Sequence, residues 1–436
     1  MKKGFVALLV VLAIVVLVSP VIVGRLAEKS MDENLDWAAT ESQEVIVTSQ
    51  GFDRGWFSSA GQHRVEVRHG KLRDALHALA DDGADSELPV LIIDTRLDHG
   101  LVPVASMSRD KGSLMPGLGS AVSTLSLEFG NGERVDLPGT IYSQISLTGE
   151  LSSSYQLEAG SFSRAGATLN WSDSDIVVTT DPSNSKVDFR GAFESLAIVT
   201  YDSDISINEL ELEGSQKPTR FGFSVGDVAM SIASVTLPSA QGTEIIGPIN
   251  LDTAAELDGD LVSGHTKVRL GNVPFGDLGP AGISIDATVR DMDGAAIGNI
   301  TRVLEQIDSY GSPDEAMFYL QDDLQRLFTK GFELRVKHLD VALPQGTLKT
   351  RIDVAVTEFD TDEFSWPAAL LALDASFDLR VPAELMDIAT AMDPQINAAV
   401  GMGFLRQSGD VYEMQAAFKN GLLTVNGAPM PIPGMQ

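Results

Sequence analysis

Few stretches of this 436-residue chain place reactive side chains at spacings that chemistry uses. Gly222-Phe223-Ser224-Val225-Gly226 spells a nucleophile elbow, which needs a buried strand before the serine and a helix after it. Val228, Met230 and Ile232 instead keep alternating like a strand, and no Ser–Asp–His order with supporting context is found, so the string reads as fortuitous. The acidic groups Asp173/Asp175, Asp202/Asp204, Asp258/Asp260, Asp291/Asp293 and Asp360/Asp362/Glu363 have the oxygens that calcium takes. None completes a twelve-residue loop with its terminal glutamate, and aspartate in turns bonds its own backbone, so they read as solvated turns. The histidines at 63, 69, 77, 99, 265 and 338 show no HExxH or other ligand spacing. His99, at a strand end in Asp98-His99-Gly100, is the most suggestive of them and still reads as structural. Leu385, Ile388, Met392, Met402 and Phe404 could line an adaptable apolar groove, although packing of helix on sheet is their plainer use. There is no P-loop and no dinucleotide fingerprint. The absence of cysteine excludes disulfides, thiolate nucleophiles and cysteine metal sites. No cofactor and no metal are expected.

The elements that would position such groups are mostly strands. Val45-Ile46-Val47 and Val65/Val67 flank the glycine-bearing corner Gly51–Gly55 and read as a hairpin. Leu72–Asp81 reads as a short helix and Pro89–Leu97 as a strand. From 140 to 298, short alternating runs recur every 8–12 residues or so, with Ile283, Ile285, Ala287 and Val289 the cleanest. Helical spacing then appears at Ile300, Val303, Leu304 and Ile307. Ser312-Pro313-Asp314-Glu315 opens a second helix as a capping box with proline at the first turn, and Lys330-Gly331 closes it. Strand pattern returns at Thr347–Glu358, two helices open at Pro382 and Asp393-Pro394, and a hairpin joined by Asn420-Gly421 ends the chain.

One stretch fixes location. Gly4–Val23 carries no charge and lies between Lys2-Lys3 and Arg25, long enough at about 1.5 Å per residue to span a hydrocarbon core. The lysines favour leaving the N-terminus in the cytoplasm. A cleaved signal is the rival, but the run exceeds a usual signal core and no small-x-small site ends it. With 31 basic and 61 acidic residues the formal charge is −30; residues 1–25 hold three of the bases and no acid, leaving −33 on the remainder. Such a surface repels nucleic acid, so no nucleic-acid partner is expected. The expected class is β-rich α+β: an anchor at 1–24, a juxtamembrane helix at 25–43, and a periplasmic domain at 44–436 built on a large, mostly antiparallel curved sheet. Helices near 299–331 and 382–406 would cover part of that sheet.

Arg54-Gly55-Trp56-Phe57-Ser58-Ser59, then Asp98-His99-Gly100 with Pro103, and finally Asn420-Gly421-Leu422-Leu423-Thr424-Val425-Asn426-Gly427 occur in an order that resembles the YdgA-like family of bacterial inner-membrane proteins, a family of unknown function. The resemblance spans nearly the whole chain and includes the Met1-Lys2-Lys3 anchor. It implies an uncleaved single-pass inner-membrane protein with its bulk in the periplasm. It carries no catalytic residues; Arg54, Gly55, Phe57, Ser58, Asp98, His99, Gly100, Asn420 and Gly421 are pattern positions of unknown role.

The leading expectation is a non-enzymatic, membrane-tethered envelope protein that holds a lipid or other amphipathic ligand on the apolar face of its sheet. That reading fails if the helices at 299–331 and 382–406 cover the face entirely. The alternative is a homodimer or envelope-complex subunit with no small ligand, pairing through exposed sheet edges. A hydrolase using Ser224 or His99 is the third reading.

Overall fold

A computed structural model of the chain describes residues 45–54, 58–67, 90–99, 119–130, 132–164, 167–181, 186–199, 204–239, 242–305, 313–359, 365–393 and 395–430. The fold is β-rich with few helices, and the strand pairings are antiparallel. The expected anchor Gly4–Val23, the segment 25–43 and the expected helix Leu72–Asp81 lie outside the described residues. Among the described residues no helix is long and apolar enough to cross a membrane. The chain divides into two compact units, one running to Asp204 and taking Glu211–Lys217, the other holding Ile205–Leu210 and Pro218–Gln436.

The first unit is a meander. β1 (Val45–Arg54), β2 (Ser58–Val67), β3 (Val90–His99) and β4 (Gly119–Glu128) pair in sequence. The short β5 (Arg134–Asp136) and β6 (Thr140–Ile145) share the next edge of β4. β7 (Leu151–Leu157) and β8 (Gly160–Arg164) turn back on β9 (Ala167–Trp171) and β10 (Ser174–Asp181) as one interrupted hairpin, and β11 (Lys186–Val199) lies along both β9 and β10. Alternation sorts the side chains. Leu97, Ala121 and Ile145 stack on one face as a buried cluster with Leu151, as period-2 strands with one apolar face require. The other face joins the buried Ile92 to polar pairs, with Arg64 bonded to Glu128 at 2.8 Å and Gln62 to Asp94 at 2.7 Å.

β12 (Asp204–Pro218) contributes residues to both units. The second unit continues the same plan with β13 (Ser224–Ser239), β14 (Gly242–Ile246), β15 (Ile249–Asp258), β16 (Leu261–Pro274) and β17 (Pro280–Asp293). β14 and β15 both lie along β13, separated by Gly247-Pro248. Helices α1 (Gly294–Glu305) and α2 (Pro313–Lys330) follow. The meander resumes as β18 (Phe332–Leu343), β19 (Gly346–Val356) and, after the short α3 (Trp366–Ala372), β20 (Leu373–Pro382). Then come α4 (Ala383–Met392), α5 (Gln395–Gly401), β21 (Arg406–Ser408), β22 (Val411–Lys419), β23 (Leu422–Val425) and β24 (Ala428–Met430). The helix expected after Ser312 is found, with Pro313 at its first position; the cap residue Ser312 itself lies outside the described residues. The two helices expected at Pro382 and Asp393-Pro394 are α4 and α5, the latter capped by Asp393 Oδ1, which accepts the Gln395 N–H at 2.8 Å. α3 was not anticipated, although Ser365 accepts the Ala368 N–H at 3.4 Å and Pro367 sits in its first turn.

Candidate functional site

The sequence patterns come to rest in structural places. Ser224 opens β13, whose 16 residues run on as strand, so the strand–turn–helix context of an elbow is absent. Arg54 ends β1, paired with Ser59, while Ser58 pairs with Asp98 and His99 with Gly119, so Arg54, Ser58, Asp98 and His99 gather at one end of the first meander. Asp98 is buried there, with Arg96 Nε at 3.5 Å. Gly55, Phe57 and Gly100 lie outside the described residues. Among the described residues no cluster of three acids or histidines is placed to hold a metal. Asn420-Gly421 and Asn426-Gly427 are two turns in tandem, joining β22 to β23 and β23 to β24, with φ of 52°, 77°, 49° and 78°. Positive φ at both central residues is what a type I′ hairpin turn demands, and asparagine and glycine tolerate it best. Asn426 adds a staple: its Nδ2 donates to the Gly403 and Phe404 carbonyls at 2.8 and 3.0 Å, and its Oδ1 accepts the Gln415 N–H at 2.9 Å.

The feature with binding geometry is one face of the second meander. Register carries a row of side chains straight across β13, β15, β16, β17, β18, β19, β20 and β22. One row passes Met230, Leu251, Val268, Ile285 and Leu339, then Thr350, Leu379 and Met414. The next starts at Val228, crosses the hydroxyls of Thr253 and Thr266, and continues through Ala287, Val336, Ile352 and Phe377 to Ala416. The third is small at one end, Gly226, Ala255 and Gly264, and larger beyond, from Val289 through Leu334, Val354 and Ala375 to Phe418. None of the three rows holds a charged side chain. Thr350 is buried; every other residue in them is only half-buried. Lys337-His338 interrupts the alternation of β18, and a bulge there against β17 and β19 absorbs the extra residue, so that Val336 and Leu339 both stay on the apolar face.

Helices occupy the two strand-end margins of this face. At one, Leu385 and Met386 of α4 bury Val381 of β20, joined by Leu343, Leu348, Tyr412 and, from α5, Ile396. At the other, Val262 and Val356 are buried, and Phe328 of α2 meets Phe332 of β18 edge-on at 5.8 Å between ring centres. α1 approaches so closely that Gly294 and Gly298 lie against Phe221. Between these margins the three rows form a trough. Rows two residues apart along a strand are about 7 Å apart, which makes it roughly 14 Å between the outer rows. Of the expected groove residues, Leu385 is core, while Met392 and Met402 stand exposed at the helix ends.

The opposite face is charged. Arg335 bonds Asp353 at 2.7 Å, Arg380 pairs with Glu413 at 3.1 Å and Lys419 with Asp374 at 2.6 Å. A shallow hollow there is lined by Arg335, Lys337 and Arg351 against Glu333, Asp353 and Asp374, so its charges cancel and it favours neither anion nor cation. In the first unit, the Lys186 ammonium, 2.8 Å from Asp188, holds that carboxyl below its ordinary range, and burial raises the Tyr155 phenol above its own.

Fold and site together define a class: a β-rich, antiparallel meander protein with an uncharged trough on one face of its second unit. The chain belongs to the family described as "Bacterial protein of unknown function (DUF945)", whose model matches residues 1–433. No curated protein and no solved structure matches it.

The trough was not singled out from sequence. Its signal was there, in the alternation of each strand, but the rows join residues up to about two hundred positions apart, and only register reveals them.

Proposed function

We propose that this protein is a membrane-tethered envelope protein that binds the acyl part of a lipid in the trough of its second unit, without catalysing a reaction. The observation that carries the reading is the uncharged, half-exposed floor of three rows, which the expected covering helices border and leave open. A contiguous, partly exposed apolar face this extensive marks a binding site more often than idle surface. The Gly4–Val23 segment, read as an anchor in the bacterial inner membrane, would keep the trough in the periplasm beside a supply of lipid. Placement among the YdgA-like proteins belongs to the same proposal, on the motifs from Arg54 to Gly427.

Native mass spectrometry and lipid extraction on the full-length protein, purified from a bacterial membrane, test it. Phospholipid at near-stoichiometric amount, reduced in Ile352→Asp and unchanged in Arg351→Gln on the opposite face, is the expected result. A lipid-free protein would overturn the reading, and a lipid-free dimer would favour a protein-interaction role.

A further inference from the structure

We propose that the trough is a lane along which acyl chains move across the strands, and not a pocket that stores one lipid; this rests on the acyl-binding reading above. Its direction follows from its borders. Helices stand at one strand-end margin beside β16 to β19 and at the other beside β18 to β22, so the axis that no helix crosses runs from strand to strand, from β13 to β22. Seven inter-strand spacings of about 4.8 Å make that axis roughly 34 Å long. The acyl layer of one leaflet is about half of a 30 Å hydrocarbon core, so one chain would fill only about half of the lane.

The occupant follows from the floor. Thr253 and Thr266 bond one another at 3.2 Å, Thr253 also donates to the His265 carbonyl, and the backbone is engaged in the ladders. A sugar or an extended peptide laid there would give up its bonds to water and gain none. A hydrocarbon chain loses nothing, and its headgroup stays in solvent above the open side.

Movement follows from uniformity. Every step along a row meets another uncharged side chain, from Met230 to Met414, so no charged residue halts a chain on its way. At the β22 end the second row continues through Val425 and Ala428, and the third through Leu423 and Met430, on β23 and β24.

The full-length protein, reconstituted in phosphatidylcholine nanodiscs, would be photolysed with a phosphatidylcholine carrying a diazirine at one acyl terminus, and adducts mapped by mass spectrometry. Transfer of a fluorescent-acyl phosphatidylcholine between donor and acceptor phosphatidylcholine vesicles would be timed alongside. Expected are adducts at both ends of the lane, near Met230 and near Met414, and transfer at least about tenfold above the spontaneous rate. Val336→Asp at mid-lane, or Ala287→Trp as an uncharged plug should the aspartate variant not fold, would abolish transfer while leaving adducts, and Arg351→Gln would leave both intact. Adducts confined to one end, or transfer unaffected by both mid-lane variants, would overturn the lane and leave acyl binding standing. No adducts anywhere would overturn both.

Discussion

Arg326 of α2 donates through Nε to Asp293 Oδ1 at 2.7 Å, and the same oxygen accepts the Ala296 N–H at 2.9 Å. One buried carboxylate thus joins the last residue of β17, the first turn of α1 and the C-terminal half of α2. It is the polar fastening of one border of the trough. Hydrogen bonds to a charged group contribute about 1.5–3 kcal/mol, discounted here because the arginine is half-exposed. Asp293→Ala, which removes both the cap and the ion pair, is expected to cost about 2–3 kcal/mol in urea unfolding. Asp293→Asn keeps a capping oxygen and is expected to cost less than half of that. Equal losses in the two variants would show that the cap contributes nothing.

Gly298 offers a test by sign. Glycine to alanine inside a helix ordinarily stabilises by about 1 kcal/mol. Here a Cβ would collide with the Phe221 carbonyl oxygen, so α1 would have to lift from the turn before β13. Gly298→Ala is therefore expected to destabilise, by about 1–3 kcal/mol. A thermal melt that moves upward would show that the close approach of α1 to Phe221 is not maintained in solution.

The tandem turns after β22 make a similar prediction for the sequence pattern. Gly421, at φ 77°, is expected to resist replacement by valine at a cost of about 1–2 kcal/mol, whereas Asn420→Gly should be nearly neutral. Neither change should alter lipid content. Loss of lipid in a stably folded Asn420 variant would give that position a binding role.

The pH dependence of the first unit follows from two groups. Asp188 is held low by its bond to Lys186, so its contribution is present above the ordinary carboxylate value of about 4 and is lost as pH falls through the lower folded value. Tyr155, raised by burial and donating to the Pro138 carbonyl at 2.5 Å, works the other way. Its contribution is full below about pH 10 and is lost as pH rises through the higher folded value. Lys186→Met should flatten the acid limb of a stability-versus-pH curve, and Tyr155→Phe the alkaline limb. Because the Lys186–Asp188 pair is about half-exposed, salt should diminish its effect.

How legible the molecule was depends on range. Ile283, Ile285, Ala287 and Val289 announce β17 because a half-buried strand alternates whatever its partner. The Pro313 start of α2 and the Asn420-Gly421 hairpin are equally local, and all three are found as read. α3 was missed because seven residues are too few to show a period, although Ser365 and Pro367 mark its start. The β18 bulge hides in Lys337-His338, where two polar residues in succession look like the end of a strand and instead preserve its face. The trough is the least legible feature. Val228 and Ala416 belong to one row only because seven pairings in between keep register, and no window along the chain contains both.

The sequential pairing of β15 through β20 bears on how the chain acquires its structure. Each of these strands finds its partner in the strand just before it, with α1 and α2 intervening between β17 and β18 and the short α3 between β19 and β20. Closing such short loops costs little entropy, and no strand must wait for a partner at the far end of the sequence. The second unit can therefore zip up in the order in which its residues emerge, each new strand covering the edge left by the last. An unpaired edge is exposed only at the growing front, and once β22 is in place the short β21, β23 and β24 cap it. A chain of this length with no disulfide to correct a mispairing gains most from such vectorial assembly, since its register is set once, at each turn, as it forms.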